Sequence, residues 1–310
     1  MGSRFQGLGV FVVLSLGWGT FASAQDLKLP NKGSIKFGVI GDMGTASREQ
    51  LEVGKQMALF HTKFPFTFVI TVGDNIYGAG SSAADFKAKF EDPYAALLAA
   101  NVKFYASLGN HDNPEQRNYG LFSMGGNRYY TFRASKGGLA KIVSGGVRFF
   151  AVDSTYVDAK QLAWLESELS ASTSDWKIAF FHHPLYSSGR THGSSLDLRK
   201  PLEPLFVKYG VNVVFSGHDH IYERIKPQQG ITYFVSGSAG SLRKGDYGQP
   251  QPFSATGFDK DFEFMLVEID GSKMYYQAIS RTGQTIDSGV IENPKSAPES
   301  ETSPTPAAAP

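Results

Sequence analysis

Seven side chains in this chain are of metal-binding type and sit where a folded chain could gather them. Asp42, Asp74, Asn110, His182 and His218 each follow a short apolar run within three residues. His220 lies two residues beyond His218, and Tyr77 three beyond Asp74. Carboxylates, imidazoles, an amide and a phenol are hard to borderline donors. They suit Fe, Mn or Zn better than Ca or Mg, which take all-oxygen cages. Seven donors exceed the four that one zinc ion usually takes. They are a good number for two ions sharing a carboxylate. Two ions about 3.5–4 Å apart clamp a phosphoryl group and generate a hydroxide nucleophile.

The runs that must position these residues are Ile35–Ile40, Thr67–Val72, Val102–Leu108, Ile178–Phe181 and Val211–Phe215. Each is β-branched or aromatic and of strand length. Helical patterns lie between them: Ser47–Lys63, Ala83–Ala100 interrupted by Pro93, Asp158–Ser170 and Ser195–Tyr209. Strand–helix alternation implies βαβ units and a largely parallel sheet. Further strands are expected at Tyr129–Arg133, Val147–Val152, Ile231–Ser236, Phe262–Ile269, Lys273–Ser280 and Thr285–Ile291, with an antiparallel end to the chain. The mixture fits an α/β fold with two mixed sheets in a sandwich flanked by helices. In open α/β sheets, ligands bind beyond the carboxyl ends of the strands. One Gly-Asp after a strand is an ordinary turn. Five strands that all hand over to Asp, Asn or His at the same end are not explained that way.

The blocks Gly41-Asp42-Met43-Gly44, Gly73-Asp74-Asn75-Ile76-Tyr77, Gly109-Asn110-His111-Asp112, His182-His183-Pro184 and Gly217-His218-Asp219-His220 resemble those of the calcineurin-like metallophosphoesterases, in the same order. More narrowly, the chain resembles the purple acid phosphatases of the small tartrate-resistant type. Most of the superfamily has Asp-x-His in the first block, whereas Gly44 stands at that histidine's place here. Tyr77, in Gly-Asp-x-x-Tyr, replaces it. The resemblance implies a four-layer α/β/β/α fold and an acid phosphatase acting on phosphate monoesters. It implies a ferric ion on Asp42, Tyr77 and His220. A divalent ion (Fe, Zn or Mn) would sit on Asn110, His182 and His218, with Asp74 bridging. A hydroxide held by the metals would attack phosphorus in line. His111 would contact the phosphate and assist proton transfer. His192, ten residues beyond His182 and one off the family spacing, would be an acid or a phosphate contact. His183 falls at the variable position of its block and reads as a packed or solvated neighbour. Asp219 is expected to point away from the metals, and Arg190 could steer phosphate. The same site could instead cleave phosphodiesters or nucleotides, or bind metal or phosphate without catalysis.

Composition narrows the setting. The 310 residues include 24 Phe, 14 Tyr and no Cys, with 30 basic against 29 acidic residues. Such a chain folds around an apolar core without disulfides or thiolate metal sites. Its neutral balance offers no field for nucleic acid. Residues 1–24 read as a secretory leader: Arg4, an apolar stretch from Leu8 to Leu16, then Ala22-Ser23-Ala24. Residues 25–292 form one domain, and the Pro- and Ala-rich residues 293–310 a tail. No Asn-x-Ser/Thr sequon occurs. The expected product is a secreted or periplasmic monomer without stable membrane insertion, acting on small phosphorylated substrates. Of seven histidines, only His61 falls away from the site loops.

Overall fold

In the first part of the chain, strand and helix alternate: β1 (Ile35–Ile40), α1 (Arg48–His61), β2 (Phe68–Val72), α2 (Ala83–Phe86), a wide π-turn (Lys87–Glu91), α3 (Ala95–Ala99) and β3 (Lys103–Ser107). A second set follows with β4 (Tyr130–Ser135), β5 (Gly138–Leu139), β6 (Val147–Ala151), α4 (Ala159–Ser170), β7 (Trp176–Phe180), α5 (Leu196–Tyr209) and β8 (Val213–Ser216). The last six strands are β9 (Tyr222–Gln228), β10 (Ile231–Ser236), β11 (Ser254–Phe258), β12 (Glu263–Asp270), β13 (Lys273–Ser280) and β14 (Thr285–Glu292). This computed structural model describes Gly2 and residues 33–78, 82–135, 138–139 and 146–293. Apart from Gly2, the expected leader lies outside the described residues, and so does the expected tail beyond Asn293.

The strands form two sheets, ordered β14-β13-β12-β1-β2-β3 and β11-β9-β10-β8-β7-β6-β4-β5. The strands β1, β2 and β3 are parallel, as are β6, β7, β8 and β10. The final antiparallel strands β12, β13 and β14 extend the first sheet from β1. Between the sheets lies an aromatic core in which Phe37 stacks on Phe68 at 5.3 Å and meets the edge of Phe149 at 5.2 Å. A second apolar layer, with Met57, Phe90, Phe104 and Leu266, packs the first sheet against the helices of the first part. A third, with Leu165, Ala179, Leu202, Phe206 and Val214, packs the second sheet against α4 and α5. This is the expected sandwich flanked by helices. Strands buried on both faces must be apolar throughout, so the site strands are visible as continuous runs.

Several boundaries depart from the sequence reading. The strand expected at Ile178 starts two residues earlier, at Trp176, whose indole N–H donates to Gly271 O at 2.9 Å. The helical stretch Ala83–Ala100 breaks near Pro93 as expected, but it also takes up a π-turn at Lys87–Glu91 that leaves only α2 and α3 as short α-helices. Neither β9 nor β11 was expected, because charged residues hide the β9 pattern. Its Glu223 is buried against the Ser188 hydroxyl and amide, at 2.6 and 2.7 Å. Asn293, placed in the tail by composition, is buried. Its amide N–H donates to Ser272 O at 2.7 Å and its side chain to Asp175 O at 2.7 Å.

At the start of β12, Glu263 is fully buried and accepts from the Ser236 hydroxyl at 2.9 Å. Burial, with a smaller push from Asp42, raises its carboxyl to about 8 against the pull of Ser236 and Ser238. The folded state therefore keeps a proton that the unfolded chain releases in the ordinary carboxylate range. Stability falls as pH rises from that range to about 8, and is flat above. Glu263→Gln should leave the melting temperature unchanged near pH 4.5 and raise it at pH 8. The gain should be roughly 2–4 °C for each kcal/mol recovered. An equal shift at both pH values in a calorimetric scan would contradict this.

Candidate metal centre

Each expected ligand lies just past the carboxyl end of a strand. Asp42 follows β1, Asp74 and Tyr77 follow β2, and Asn110 follows β3. His182 follows β7, while His218 and His220 follow β8. Thus the first sheet supplies four of these side chains and the second sheet three. All seven meet where the two sheets face each other.

The donors fall into two groups that touch. On one side, the Tyr77 hydroxyl donates to Asp42 Oδ1 at 3.2 Å and lies 3.0 Å from His220 Nε2, itself 3.3 Å from Asp42 Oδ1. Ligand atoms of Asp42, Asp74 and His220 lie within 4.8 Å of one another. On the other side, His182 Nε2 is 3.0 Å from Asn110 Oδ1, 3.1 Å from His218 Nδ1 and 3.4 Å from Asp74 Oδ1. Asp74 is common to both groups. His183 joins the second one. Its ring lies 4.4 Å from that of His218, and its Nδ1 is 2.9 Å from the Ser154 hydroxyl. The imidazole read as a neighbour is therefore part of a cluster with His182 and His218.

The backbone reaches this geometry through conformations that side chains resist. Asp42, Asp74 and His218 have φ of 53°, 52° and 70°. Such left-handed residues cost about 1–3 kcal/mol each and persist where the surroundings over-determine them. The blocks also bring glycine into close contact. A Cβ on Gly109 would lie 2.2 Å from Asp74 Oδ1. One on Gly44 would lie 1.9 Å from Asn75 O, because the Tyr77 loop closes over that position and the Tyr77 amide donates to Gly44 O at 2.9 Å. No side chain fits at position 44, so the histidine of the wider pattern and the Tyr77 loop exclude each other here.

Outer contacts aim the ligand atoms. His182 Nδ1 faces Val72 O at 2.9 Å, and His220 Nδ1 faces the Ser241 hydroxyl at 2.8 Å. A carbonyl only accepts, so Nδ1 of His182 carries a proton and Nε2 is the nitrogen turned inward, the one that must give up its proton to bind a metal. Sequence reading missed these partners, and it missed Asp112. That carboxylate accepts from the amides of Asn75, Ile76 and Gly109 at 3.0, 3.0 and 2.9 Å, tying the second block to the third. Burial, then the Asp74 charge, raises it to about 6. Asp112 was visible in its block, but nothing in the spacing tells an outer carboxylate from a ligand.

Charge in the cluster is uneven. Burial works against ionising Asp74, yet the His182 charge and hydrogen bond outweigh it and hold the carboxyl well below its usual range. Burial also pulls His182 down, but Asp42 and Asp74 prevail and lift it to about 9. Burial and then the neighbouring His182 lower His183 to about 3 and His218 to about 2. Burial first, then Asp42 and Asp74, push the Tyr77 hydroxyl far up. Neutral imidazoles offer lone pairs, and adjacent anions invite cations.

The two expected proton carriers flank the centre. The ring of His111 lies 5.1 Å from Tyr77, and its amide donates to Asp74 Oδ1 at 3.0 Å. His192 lies over His218, with ring centres 4.0 Å apart. Both are exposed. Asp219 turns from the centre, as expected, and accepts from the Ser187 hydroxyl at 2.5 Å and the Gly193 amide at 3.1 Å. Arg190 does not face the ligands; its side chain lies along Gly248 and lines a cavity of about 660 Å³ with Ser187, Gln249, Gln251 and Phe253. His61 is bound elsewhere, 3.0 Å from Phe66 O.

The donor set fits two ions. Three oxygens and one nitrogen face one position, imidazoles and an amide the other, and one carboxylate is shared. This suits a harder ion beside a softer one. Comparison with known proteins agrees. A family model described as calcineurin-like phosphoesterase matches residues 35–222. Purple acid phosphatase 4 of Arabidopsis thaliana is 29% identical over 286 residues, covering 82% of each chain. Tartrate-resistant acid phosphatase type 5 of Homo sapiens is 25% identical over 87% of this chain and 96% of that one. Among solved structures, purple acid phosphatase PPD1 from yellow lupin seeds gives a TM-score of 0.65 at 20% identity, over 88% of this chain and 58% of that one. GAP50, titled the anchor in the inner membrane complex of Plasmodium, gives 0.71 at 22% identity, over 84% and 90%. At such identities these two likenesses speak for the fold alone. With its blocks, its fold and its two touching donor groups, the chain belongs to the calcineurin-like phosphoesterases and is a metal-dependent phosphoesterase related to the purple and tartrate-resistant acid phosphatases.

Proposed function

We propose that the protein is an acid phosphatase that hydrolyses phosphate monoesters at a mixed Fe(III) and divalent (Fe, Zn or Mn) centre. Asp42, Tyr77 and His220 hold the ferric ion, Asn110, His182 and His218 the divalent one, and Asp74 is shared. The observation that carries this reading is the Tyr77 hydroxyl, 3.2 Å from Asp42 and 3.0 Å from His220. A phenolate is a donor for a trivalent ion, and nothing else in the cluster calls for one.

When bound, the two ions supply an activated water and offset the charge of the phosphoryl group. The protein's own residues do the rest. Asp74 and Asp42 set the anionic floor, and the Val72 carbonyl fixes the His182 tautomer. The exposed His111 and His192 each stand where an imidazolium can hand a proton to the leaving oxygen. Partial desolvation of its ring, which packs over His218, and then the Arg243 charge hold His192 below its ordinary pKa, so its acid form grows as pH falls, and so should turnover.

The iron-loaded protein should be coloured by tyrosinate-to-iron charge transfer, and Tyr77→Phe should weaken or remove the visible band at unchanged iron content. A colourless iron-loaded wild type would sink the ferric assignment and leave the family standing. Metal analysis, with nitrophenyl phosphate and its bis-ester assayed at acid pH, tests the whole reading. Faster cleavage of the bis-ester would favour a phosphodiesterase. The leader pattern supports a secreted or periplasmic location, where the protein would act as a monomer on small phosphorylated compounds. Among the described residues, no helix is long and apolar enough to cross a membrane.

A further inference from the structure

The loop that carries His192 rests on a turn that also carries two of the expected ligands. Asp219 stands between His218 and His220, and its backbone is fixed. Its amide donates to Gly217 O at 2.9 Å, and its carbonyl accepts from the Ile221 amide at 2.8 Å. Its side chain leaves the centre and enters the 187–193 loop. There Oδ2 accepts from the Ser187 hydroxyl at 2.5 Å and the Gly193 amide at 3.1 Å. The Ser187 oxygen in turn accepts from the Gly189 amide at 3.0 Å. A Cβ on Gly189 would lie 2.3 Å from Asp219 Cγ, so the loop backbone sits directly on the carboxyl group. Gly193 follows His192, whose ring lies 4.0 Å from that of His218. One hydrogen bond from Asp219 thus holds the residue next to the expected proton carrier. Two further anchors of the loop, Glu223 on Ser188 and Asp246 on Thr191, come from outside the ligand turn.

Asp219 is fully buried, and its Oδ1 is enclosed without a hydrogen-bond partner among the described residues. A buried polar atom left unmatched costs stability and calls for an explanation. We infer that Asp219 is a positioning residue, which registers His192 against the metal ligands so that its imidazole can hand a proton to the leaving oxygen. The short turn His218–His220 then sets the ligands and the acid together. A group that donates a proton must be placed to within hydrogen-bond reach of the leaving atom, and an error of about 1 Å at such a centre is costly. This deepens the phosphatase reading above and rests on it.

The test compares two monoesters on the metal-loaded enzyme. Nitrophenyl phosphate releases a weakly basic oxygen that needs little protonation. Glycerol phosphate releases a strongly basic alkoxide that needs an acid. Asp219→Leu roughly keeps the volume and removes the acceptor. Its kcat on glycerol phosphate should fall on the order of 10²-fold, the scale of a displaced group at a reacting centre. The loss on nitrophenyl phosphate should be at least about tenfold smaller, since that step leans less on an acid. Metal content should match wild type. His192→Ala should show the same selective loss, and combining the two should add little more. Asp219→Asn keeps an acceptor oxygen and should recover most of the glycerol phosphate activity. Gly189→Ala presses on the same carboxyl from the loop side, and it should reproduce the selectivity even if Asp219→Leu folds poorly. Equal losses on both esters, loss of metal, or additive losses in the double variant would overturn the assignment and make Asp219 a support for its neighbouring ligands. A silent His192→Ala would overturn it too. If wild type cleaves neither ester, the phosphatase reading fails, and hydrogen exchange still decides the anchor. Faster exchange at the Gly193 amide in Asp219→Leu, with β7 and β8 protected as in wild type, would uphold it. Unchanged protection at Gly193 would overturn it.

Discussion

Asp74→Ala should lose metal and hydrolysis together. Asp74 reaches both donor groups: its Oδ1 is 3.4 Å from His182 Nε2, and a carboxylate oxygen lies within 4.8 Å of Asp42 and His220. It also accepts the His111 amide at 3.0 Å. Truncation removes the carboxylate common to both donor groups, the charge that raises the His182 pKa, and the anchor of the third block. Metal analysis should find fewer than two ions per chain, and kcat/KM should fall by roughly 10²–10³-fold, the scale attached to one preorganised charge-stabilising group. The fold should survive, since the three apolar layers do not depend on Asp74. A variant that keeps two ions and most of its turnover would remove Asp74 from the shared position.

Gly44→His should be nearly as damaging, although it restores the residue common in the wider superfamily. The first side-chain carbon would stand 1.9 Å from Asn75 O and 2.5 Å from the Ile76 Cα. Both are backbone atoms of the loop that delivers Tyr77, so a rotamer change gives no relief. The loop must move, and overpacking of this kind costs about 1–3 kcal/mol or more. A displacement near 1 Å at a reacting centre costs on the order of 10²-fold in rate. The expected result is a lowered melting temperature, a weakened visible band and activity reduced by that order. Gly44→Ala should behave the same way, because the clash is at Cβ. Wild-type colour and activity in Gly44→His would mean that loop and histidine can coexist.

The sequence disclosed the site more fully than the framework around it. Ligands at strand ends are legible because doubly buried strands are continuous apolar runs, and the residue after each run is then fixed in space. All seven donors that the fold gathers were named on that basis, and the two histidines that flank them came from resemblance. What stayed hidden depends on contacts between distant segments. Asp112 looks like any acid in its block until the amides of Asn75, Ile76 and Gly109 are seen to point at it. Ser154 and Ser241 lie far in sequence from the histidines they meet. His183 fell at a variable position, and its proximity to His218 is a tertiary fact. The strand β9 was invisible because Glu223, Arg224 and Lys226 interrupt its pattern. Their partners, among them Ser188, Asp287 and the Pro252 carbonyl, come from other elements. The break at Pro93 in the helix before β3 was legible, whereas the π-turn at Lys87–Glu91 ahead of it is something periodicity does not register.

The division of the donors between the two sheets has a thermodynamic consequence. An ion held by Asp74 and His182 would be gripped from both sheets at once, so parting the sheets and releasing the ion would become a single event. Ligand that binds only the closed form adds RT ln(1 + [L]/Kd) to stability, close to 1.4 kcal/mol for each tenfold excess. In a chain without cysteine, this linkage would act as a removable cross-link. Unlike a covalent one, its strength follows the free metal concentration around the protein.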